Sequence, residues 1–372
     1  MGSPNFFALS LYSIHKYCNL CYSEGNKSAH CCKPYKEDII NKRERFEAFL
    51  QNKPVDRVPI AFFHHFTDRT EWLKGLISPE IFEKNIDGHR KARAIFDPDV
   101  VKVMNDSLML MPVDLSEVKC AADLPKLKAP APGSPFMEKT KELTLRALAF
   151  YADSEAPKYV TGFSPVMVLK TAAARMPAEQ KLDLVQALRD EPEAFVKALD
   201  MLAETIMYLN EMLIKECGAE GIYFSVNNQN DFFPEDLYRQ CITPSDKKVI
   251  AHANTLSKIN LLHICGFAGL TNNLELFKDY DCAGINWAVT IEGVSLQEGK
   301  KLFGGKPVFG GFPQSGVLDK GTREEVVAYT HKILDEAGQV GIMLGADCTI
   351  PTDIDDNRLE WVRQACIDYA NK

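Results

Sequence analysis

The chain has 372 residues, 46% of them hydrophobic, and a formal net charge of -8, with an isoelectric point near 5.6. That length supports one large core or two modest ones, and the acidic balance argues against nucleic acid or an anionic membrane surface as the main partner. No apolar run reaches the roughly 20 residues needed to span a bilayer. The stretch from Phe6 to Tyr12 lacks the basic leader and small-residue cleavage pattern of a signal peptide, so a cytoplasmic enzyme is expected.

Residues 1–36 read as an N-terminal extension. Cys18 and Cys21 form a Cys-x-x-Cys pair followed by His30, Cys31 and Cys32, half of a structural zinc site, but no second pair follows at finger spacing. The remaining cysteines are scattered, which points to reduced thiols rather than a disulfide framework.

From residue 37 onward the pattern alternates short apolar runs with longer amphipathic segments, the mark of repeated βα units. Eight strands are predicted: Arg57–Phe63, Asp99–Met104, Tyr159–Phe163, Gly221–Val226, Asn260–Cys265, Ala283–Ala288, Pro307–Gly311 and Gly341–Gly345. Helices are predicted over Glu193–Cys217, Pro244–Leu256, Thr322–Ala337 and Asp355–Tyr369. Thr322 ahead of Glu324 and Glu325 is an N-cap signal, and Ser78-Pro79 and Thr243-Pro244 place proline at a first helical position. Between Ser116 and Tyr151, Pro125, Pro130, Pro132 and Pro135 predict a broken excursion, a lid or a β-ribbon. Eight strands with intervening helices predict an α/β fold, a (β/α)8 TIM barrel over residues 37–372.

In such a barrel the chemistry sits at the C-terminal ends of the strands. His263 and Cys265 end the fifth predicted strand with a spacing of two, so their side chains share one face. Cys348 lies just past the eighth. One imidazole and two thiolates suit zinc, and three protein ligands leave a fourth tetrahedral position open, the arrangement of a catalytic site. Other polar groups at strand ends are His64, His65, Asn105, Asp106, Asn227, Asn228, Gln229, Asn286, Trp287 and Gln314.

Three stretches carry a family resemblance. Lys42-Arg43-Glu44-Arg45-Phe46-Glu47-Ala48-Phe49 followed by Lys53-Pro54-Val55-Asp56-Arg57-Val58-Pro59 resembles the opening of the uroporphyrinogen decarboxylase superfamily, and Gly345-Ala346-Asp347-Cys348-Thr349-Ile350-Pro351-Thr352-Asp353 resembles its closing motif. Thr161–Pro165 and Pro307–Gly311 extend the likeness over most of the chain from Lys42. The porphyrin decarboxylases of that superfamily carry an arginine-rich motif after the first strand. Here the loop Phe62-Phe63-His64-His65-Phe66-Thr67-Asp68-Arg69 has one arginine, too few for several substrate carboxylates. The corrinoid-dependent methyltransferases resemble this chain more closely, with His-x-Cys and a distant Cys matching His263, Cys265 and Cys348.

The resemblance implies Zn2+ on those three ligands and a corrinoid (cobalamin) brought by a small corrinoid protein, because the Asp-x-His-x-x-Gly motif of cobalamin carriers is missing from this sequence. Zinc would polarise a methoxy oxygen or present a thiolate, so the expected reaction moves a methyl group between cobalt and a small-molecule donor or acceptor, a methoxylated compound being favoured. A methylcorrinoid:thiol methyltransferase and a uroporphyrinogen decarboxylase-type lyase are the alternatives, and a structural metal closed by Cys282 is a third. Asp347 is expected to serve the metal or move a proton. His64, Asp106, Asn227, Asn228 and Trp287 are expected to bind substrate, with Phe62, Phe63, Phe66, Phe232 and Phe233 lining an aromatic pocket.

Overall fold

A computed structural model of the protein describes residues 40–372; Cys18, Cys21, His30, Cys31, Cys32 and the expected 1–36 extension lie outside the described residues. Eight parallel strands form a nearly closed barrel: β1 Ile60–Ala61, β2 Val101–Val103, β3 Lys158–Phe163, β4 Gly221–Val226, β5 Leu261–Ile264, β6 Gly284–Trp287, β7 Val308–Phe312 and β8 Ile342–Ala346. All eight fall inside or within one residue of the predicted runs. From β2 to β8 each strand pairs with the next in sequence, and β1 pairs with β8. The fold is the (β/α)8 TIM barrel expected from the pattern. Among the described residues, no helix is long and apolar enough to cross a membrane.

Among the described residues no ladder joins β1 to β2, and a buried carboxylate bridges that seam instead. Asp99, just ahead of β2, accepts the Ile60 amide of β1 at 3.0 Å through Oδ2. The Arg57 guanidinium grips both oxygens, at 2.7 and 2.8 Å, and Arg45 stands 3.4 Å from Oδ1. Asp56 holds the other edge of Arg45 at 2.8 and 2.7 Å. A bidentate Arg–carboxylate pair of this kind fixes orientation as well as distance.

Below this network the helix α1, Lys42–Leu50, closes the N-terminal end of the barrel. Its start is set by a reciprocal cap in which Asn41 accepts the Glu44 amide and Glu44 accepts the Asn41 amide. Phe46 and Phe49, both buried, then pack on the inward-facing Tyr159, Tyr223, Leu261, Phe309 and Met343. The larger part of the core lies between the outer face of the sheet and the surrounding helices.

One expectation between the strands is corrected. The excursion from Ser116 to Tyr151 is neither lid nor β-ribbon. It holds a 3-10 turn, Ala121–Lys126, and a helix, Pro135–Ala149, whose buried Phe136, Met137, Leu143 and Ala147 join the main core. Pro135 starts this helix rather than breaking it, because its missing amide falls where no helical partner exists. The expected helix from Pro244 to Leu256 is present as Thr243–Leu256 with proline in its first turn, and it continues a longer helical run. The helical run begins at Glu235 and passes through a π turn, Tyr238–Ile242, where the Thr243 amide reaches back to the Tyr238 carbonyl. The wider turn accommodates a proline that cannot donate.

Burial alone would raise the Asp99 carboxyl, but the Arg57 guanidinium, with further charge from Arg45 and Arg363, holds it far below the usual carboxylate range. The stabilisation is therefore complete above the ordinary carboxylate range and is lost only as pH falls through the lowered value. Replacing Asp99 by Asn leaves Arg57 buried without its countercharge. Urea unfolding at neutral pH should show a loss of about 3–5 kcal/mol, and the variant should lack the wild type's loss of stability at low pH.

Candidate metal centre

His263, near the end of β5, points into the barrel and stacks on the Tyr223 ring at 5.1 Å. The sheet register sets Ser225, His263 and Asn286 side by side on β4, β5 and β6. The His263 Nδ1 is consequently 2.5 Å from the Asn286 Oδ1. Asn286 uses its own amide hydrogens on the Phe309 carbonyl at 2.8 Å and the Ala346 carbonyl at 3.3 Å, which fixes Oδ1 as the acceptor. That oxygen also takes the Tyr223 hydroxyl at 3.0 Å. The hydrogen of His263 is thereby placed on Nδ1, leaving the Nε2 lone pair free for a metal.

Cys265 ends the same strand, and its carbonyl is held by Gln229 and Asn272, both at 3.2 Å. Cys348 lies two residues past β8 in a loop pinned on both sides, with Asp347 N on the Phe312 carbonyl at 2.8 Å and Ile350 N on the Phe63 carbonyl at 2.9 Å. Cys348 Sγ is 3.9 Å from Cys265 Sγ and 3.6 Å from His263 Nε2. All three ligand atoms lie within 4.8 Å of one another. Tetrahedral zinc, with bonds of about 2.3 Å to sulfur and 2.0–2.1 Å to nitrogen, sets sulfurs at about 3.8 Å and nitrogen to sulfur at about 3.5 Å. The residues fit the ion.

The two thiols share a proton. The hydrogen bond with Cys265 holds Cys348 well below the ordinary thiol range despite burial, and His263 adds to this. The same bond, with burial, pushes Cys265 well above it. A divalent ion would displace that proton and take both thiolates.

The three ligands open onto an inner cavity of about 330 Å³ lined by Met104, Met109, Met111, Met167, Phe163, Phe267, Trp72 and Tyr223. Lys102 is the one lysine or arginine on its wall among the described residues. It lies 4.5 Å from the centre of the Tyr223 ring, and burial lowers it to about 8 against the pull of Cys348, Asp106 and Cys265.

Of the residues expected to bind substrate, Asn227 lines this cavity, where its Oδ1 accepts from Lys170 at 3.2 Å. Several other expectations are corrected. Trp287 neighbours Asn286 on β6, so the pleat turns it outward; its indole donates to the Val294 carbonyl at 3.0 Å and covers Gly299, where a Cβ would meet the ring at 2.1 Å. Asn228 is buried and brackets the Phe233 backbone at 2.8 and 2.9 Å. His64 turns to Asp356 at 3.0 Å and lines a separate small cavity. Asp106 stands behind the wall, bonded to His65. Asp347 turns to the Thr290 amide at 3.1 Å and to its hydroxyl, away from the cavity, and burial lifts it to about 6. Phe62, Phe63, Phe66, Phe232 and Phe233 do not border the inner cavity. Cys282 precedes β6 at the opposite end of the barrel from Cys265, which removes it as a fourth ligand.

The sequence reading left Tyr223, Lys102 and the methionines without a role. Lys102 within Val-Lys-Val on a strand and Tyr223 on β4 carried a usable signal, since period two assigns each to a face.

Fold and centre together define a barrel with three side chains at its mouth that could hold a metal ion. The uroporphyrinogen decarboxylase (URO-D) family profile matches residues 110–369, and the chain belongs to that family. Among solved structures it is similar to a methyltransferase from Methanosarcina mazei, with a TM-score of 0.64 and 18% identity over 89% of this chain and 99% of that one. It is also similar to a B12-independent methionine synthase from Shewanella sp. W3-18-1, with a TM-score of 0.52 and 14% identity over 85% of this chain and 97% of that one. Both are likenesses of fold. No curated protein sequence matches the chain significantly.

Replacing Asn286 by Ala frees the His263 ring while leaving all three ligands in the chain. Zinc affinity, measured by competition with a chelating dye, should fall about 10- to 100-fold.

Proposed function

We propose that this protein is a zinc-dependent methyltransferase that moves a methyl group between a small substrate, a methoxylated compound by preference, and the cobalt of a corrinoid carried by a separate small protein. The observation that carries this reading is the His263, Cys265, Cys348 set opening onto an apolar cavity. Family membership and the likeness in fold to the Methanosarcina mazei methyltransferase support it.

His263, Cys265 and Cys348 would hold the ion, with Asn286 orienting the imidazole. Bound there, zinc supplies Lewis acidity at its remaining position, towards an ether oxygen or the sulfur of a thiol. Two thiolates balance its charge, so the occupied centre is neutral before substrate arrives. The methionines, Phe163 and Phe267 surround the apolar body of the substrate and exclude water. Methionine is adaptable and polarisable, which suits a pocket for an aromatic or alkyl ether. Asn227, steadied by Lys170, offers a polar contact on the same wall.

The corrinoid would approach from outside. A wider cavity of about 630 Å³ adjoins the inner one at His65, Trp72, Phe267 and Thr349 and extends to Arg69, Gln314 and Pro351, and this is the face the partner would cover. The same centre serves a thiol acceptor in the reverse direction. A porphyrin substrate fits less well, because several carboxylates would meet Lys102 as the single lysine or arginine of the inner wall.

Cys265→Ala or Cys348→Ala should reduce bound zinc from about one ion per chain to a small fraction of that. Methyl transfer from methoxylated aromatics to reduced cobalamin, followed by its absorbance, should be lost in step. Chelation of the wild type should abolish transfer and added zinc should restore it. A metal-stripped protein that transfers methyl groups at the full rate would refute the proposal.

A further inference from the structure

A methyl group that leaves an oxygen leaves its bonding electron pair behind, and a thiol that accepts one must first lose a proton. Either direction calls for a proton carrier beside the metal. Asp347 faces Thr290 and cannot reach the cavity. We propose, resting on the methyl-transfer reading, that His65 is the acid–base residue of this site and that Asp106 positions it.

Asp106 follows β2 and is fully buried. Its Oδ2 accepts the Phe66 amide at 2.5 Å and the Thr67 amide at 3.3 Å, and its Oδ1 stands 2.8 Å from Nδ1 of His65. The two backbone amides keep the carboxylate from turning. With an acceptor at Nδ1, the imidazole carries its hydrogen there and Nε2 becomes the working nitrogen, the arrangement of a histidine oriented by a buried carboxylate. Among the described residues Nε2 has no hydrogen-bond partner, so none of them competes for it. The ring lines the inner cavity with Cys265 and Cys348, and it also lines the outer one.

Trp72 packs on the ring at 5.0 Å between centres. The preceding histidine is occupied elsewhere, since His64 pairs with Asp356. The other charged or titratable groups facing the same cavities are Lys102 on β2, Tyr223, the cysteine pair and His263 across the inner cavity, and Asp68 and Arg69 at the outer mouth.

In demethylation the reduced corrinoid supplies the electron pair that forms the new bond to the methyl carbon, while the carbon–oxygen pair stays on oxygen. For this direction the His65 ring first takes a second proton at Nε2 from solvent, then passes it to that oxygen, and the alcohol departs neutral with the ring left in its neutral form. In the opposite direction neutral Nε2 would take the proton of a thiol and later release it to solvent; the sulfur pair would bond to the methyl group as its bond to cobalt breaks, that pair staying on the corrinoid. Charge is conserved at the site in both cases.

The test follows a proton rather than turnover. Benzenethiol is titrated calorimetrically into zinc-loaded full-length protein near neutral pH, in two buffers of different ionisation enthalpy, so that protons released per thiol bound are counted. Wild type should release well below about one proton, because His65 keeps it, whereas His65→Gln should release close to about one. Glutamine still donates to Asp106 but accepts no proton at this pH, and its affinity for the thiol should be roughly tenfold lower. His65→Asn, a second variant, should behave alike, and unchanged zinc content and melting temperature confirm that both are folded. Equal proton release in wild type and variants overturns the proposal, as does an absence of thiol binding to wild type. If the proton is retained but no methyl group reaches cobalamin, the role of His65 stands and the proposed function falls. If methyl groups move and proton release is equal, the function stands and His65 is not its proton carrier.

Discussion

The carboxylate of Asp99 stitches the barrel where its sheet does not. Among the described residues β1 and β2 share no ladder, yet Asp99 takes an amide from β1 and a guanidinium from the same side. What lies above depends on that closure. Lys102, Met104 and Asp106 follow from β2, whereas Cys348 follows from β8, the neighbour of β1. Were the seam to open, Asp106 on the β2 side would separate from His65 on the β1 side. A buried ion pair contributes little net stability compared with apolar packing, but it orients its partners strongly. Orientation is what this seam requires.

Asn286 has the corresponding part at the other end of the barrel. A single carboxamide touches the β4 tyrosine, the β5 histidine, a β7 carbonyl and the β8 carbonyl two residues before Cys348. It therefore ties the strand that supplies two ligands to the strand that leads to the third. Gly310 makes room for it: its φ of 143° is open to glycine alone, and a Cβ there would sit 3.3 Å from the Asn286 nitrogen. The placement of these three candidate ligands is set by hydrogen bonds of the Asn286 side chain to other side chains and to backbone carbonyls.

The mouth divides its labour between neighbouring residues. After β1, His64 turns to the C-terminal Asp356 while His65 turns to Asp106 and the cavity. After β8, Asp347 anchors the loop to Thr290 while Cys348 meets Cys265. Each pair joins one residue that secures the loop to one that lines the inner cavity. An apolar cavity with few polar groups strengthens each of those groups, because little solvent competes for their hydrogen bonds.

Much of this was legible in the sequence. The eight strands follow from short apolar runs spaced by amphipathic segments, and the shared face of His263 and Cys265 follows from the two-residue repeat of an extended chain. That rule needs no partner to operate. The rest was decided by tertiary structure. Asn286 and Trp287 are adjacent on β6, and only the sheet register shows which meets His263 and which meets the helices. His64 and His65, like Asp347 and Cys348, lie in loops beyond the pleat, where direction is set by whatever distant acceptor or amide comes within reach. Asp356 and Thr290 are far from them in the chain. Local periodicity fixed which groups the strands could present at the mouth, and long-range hydrogen bonding determined which of them turned inward.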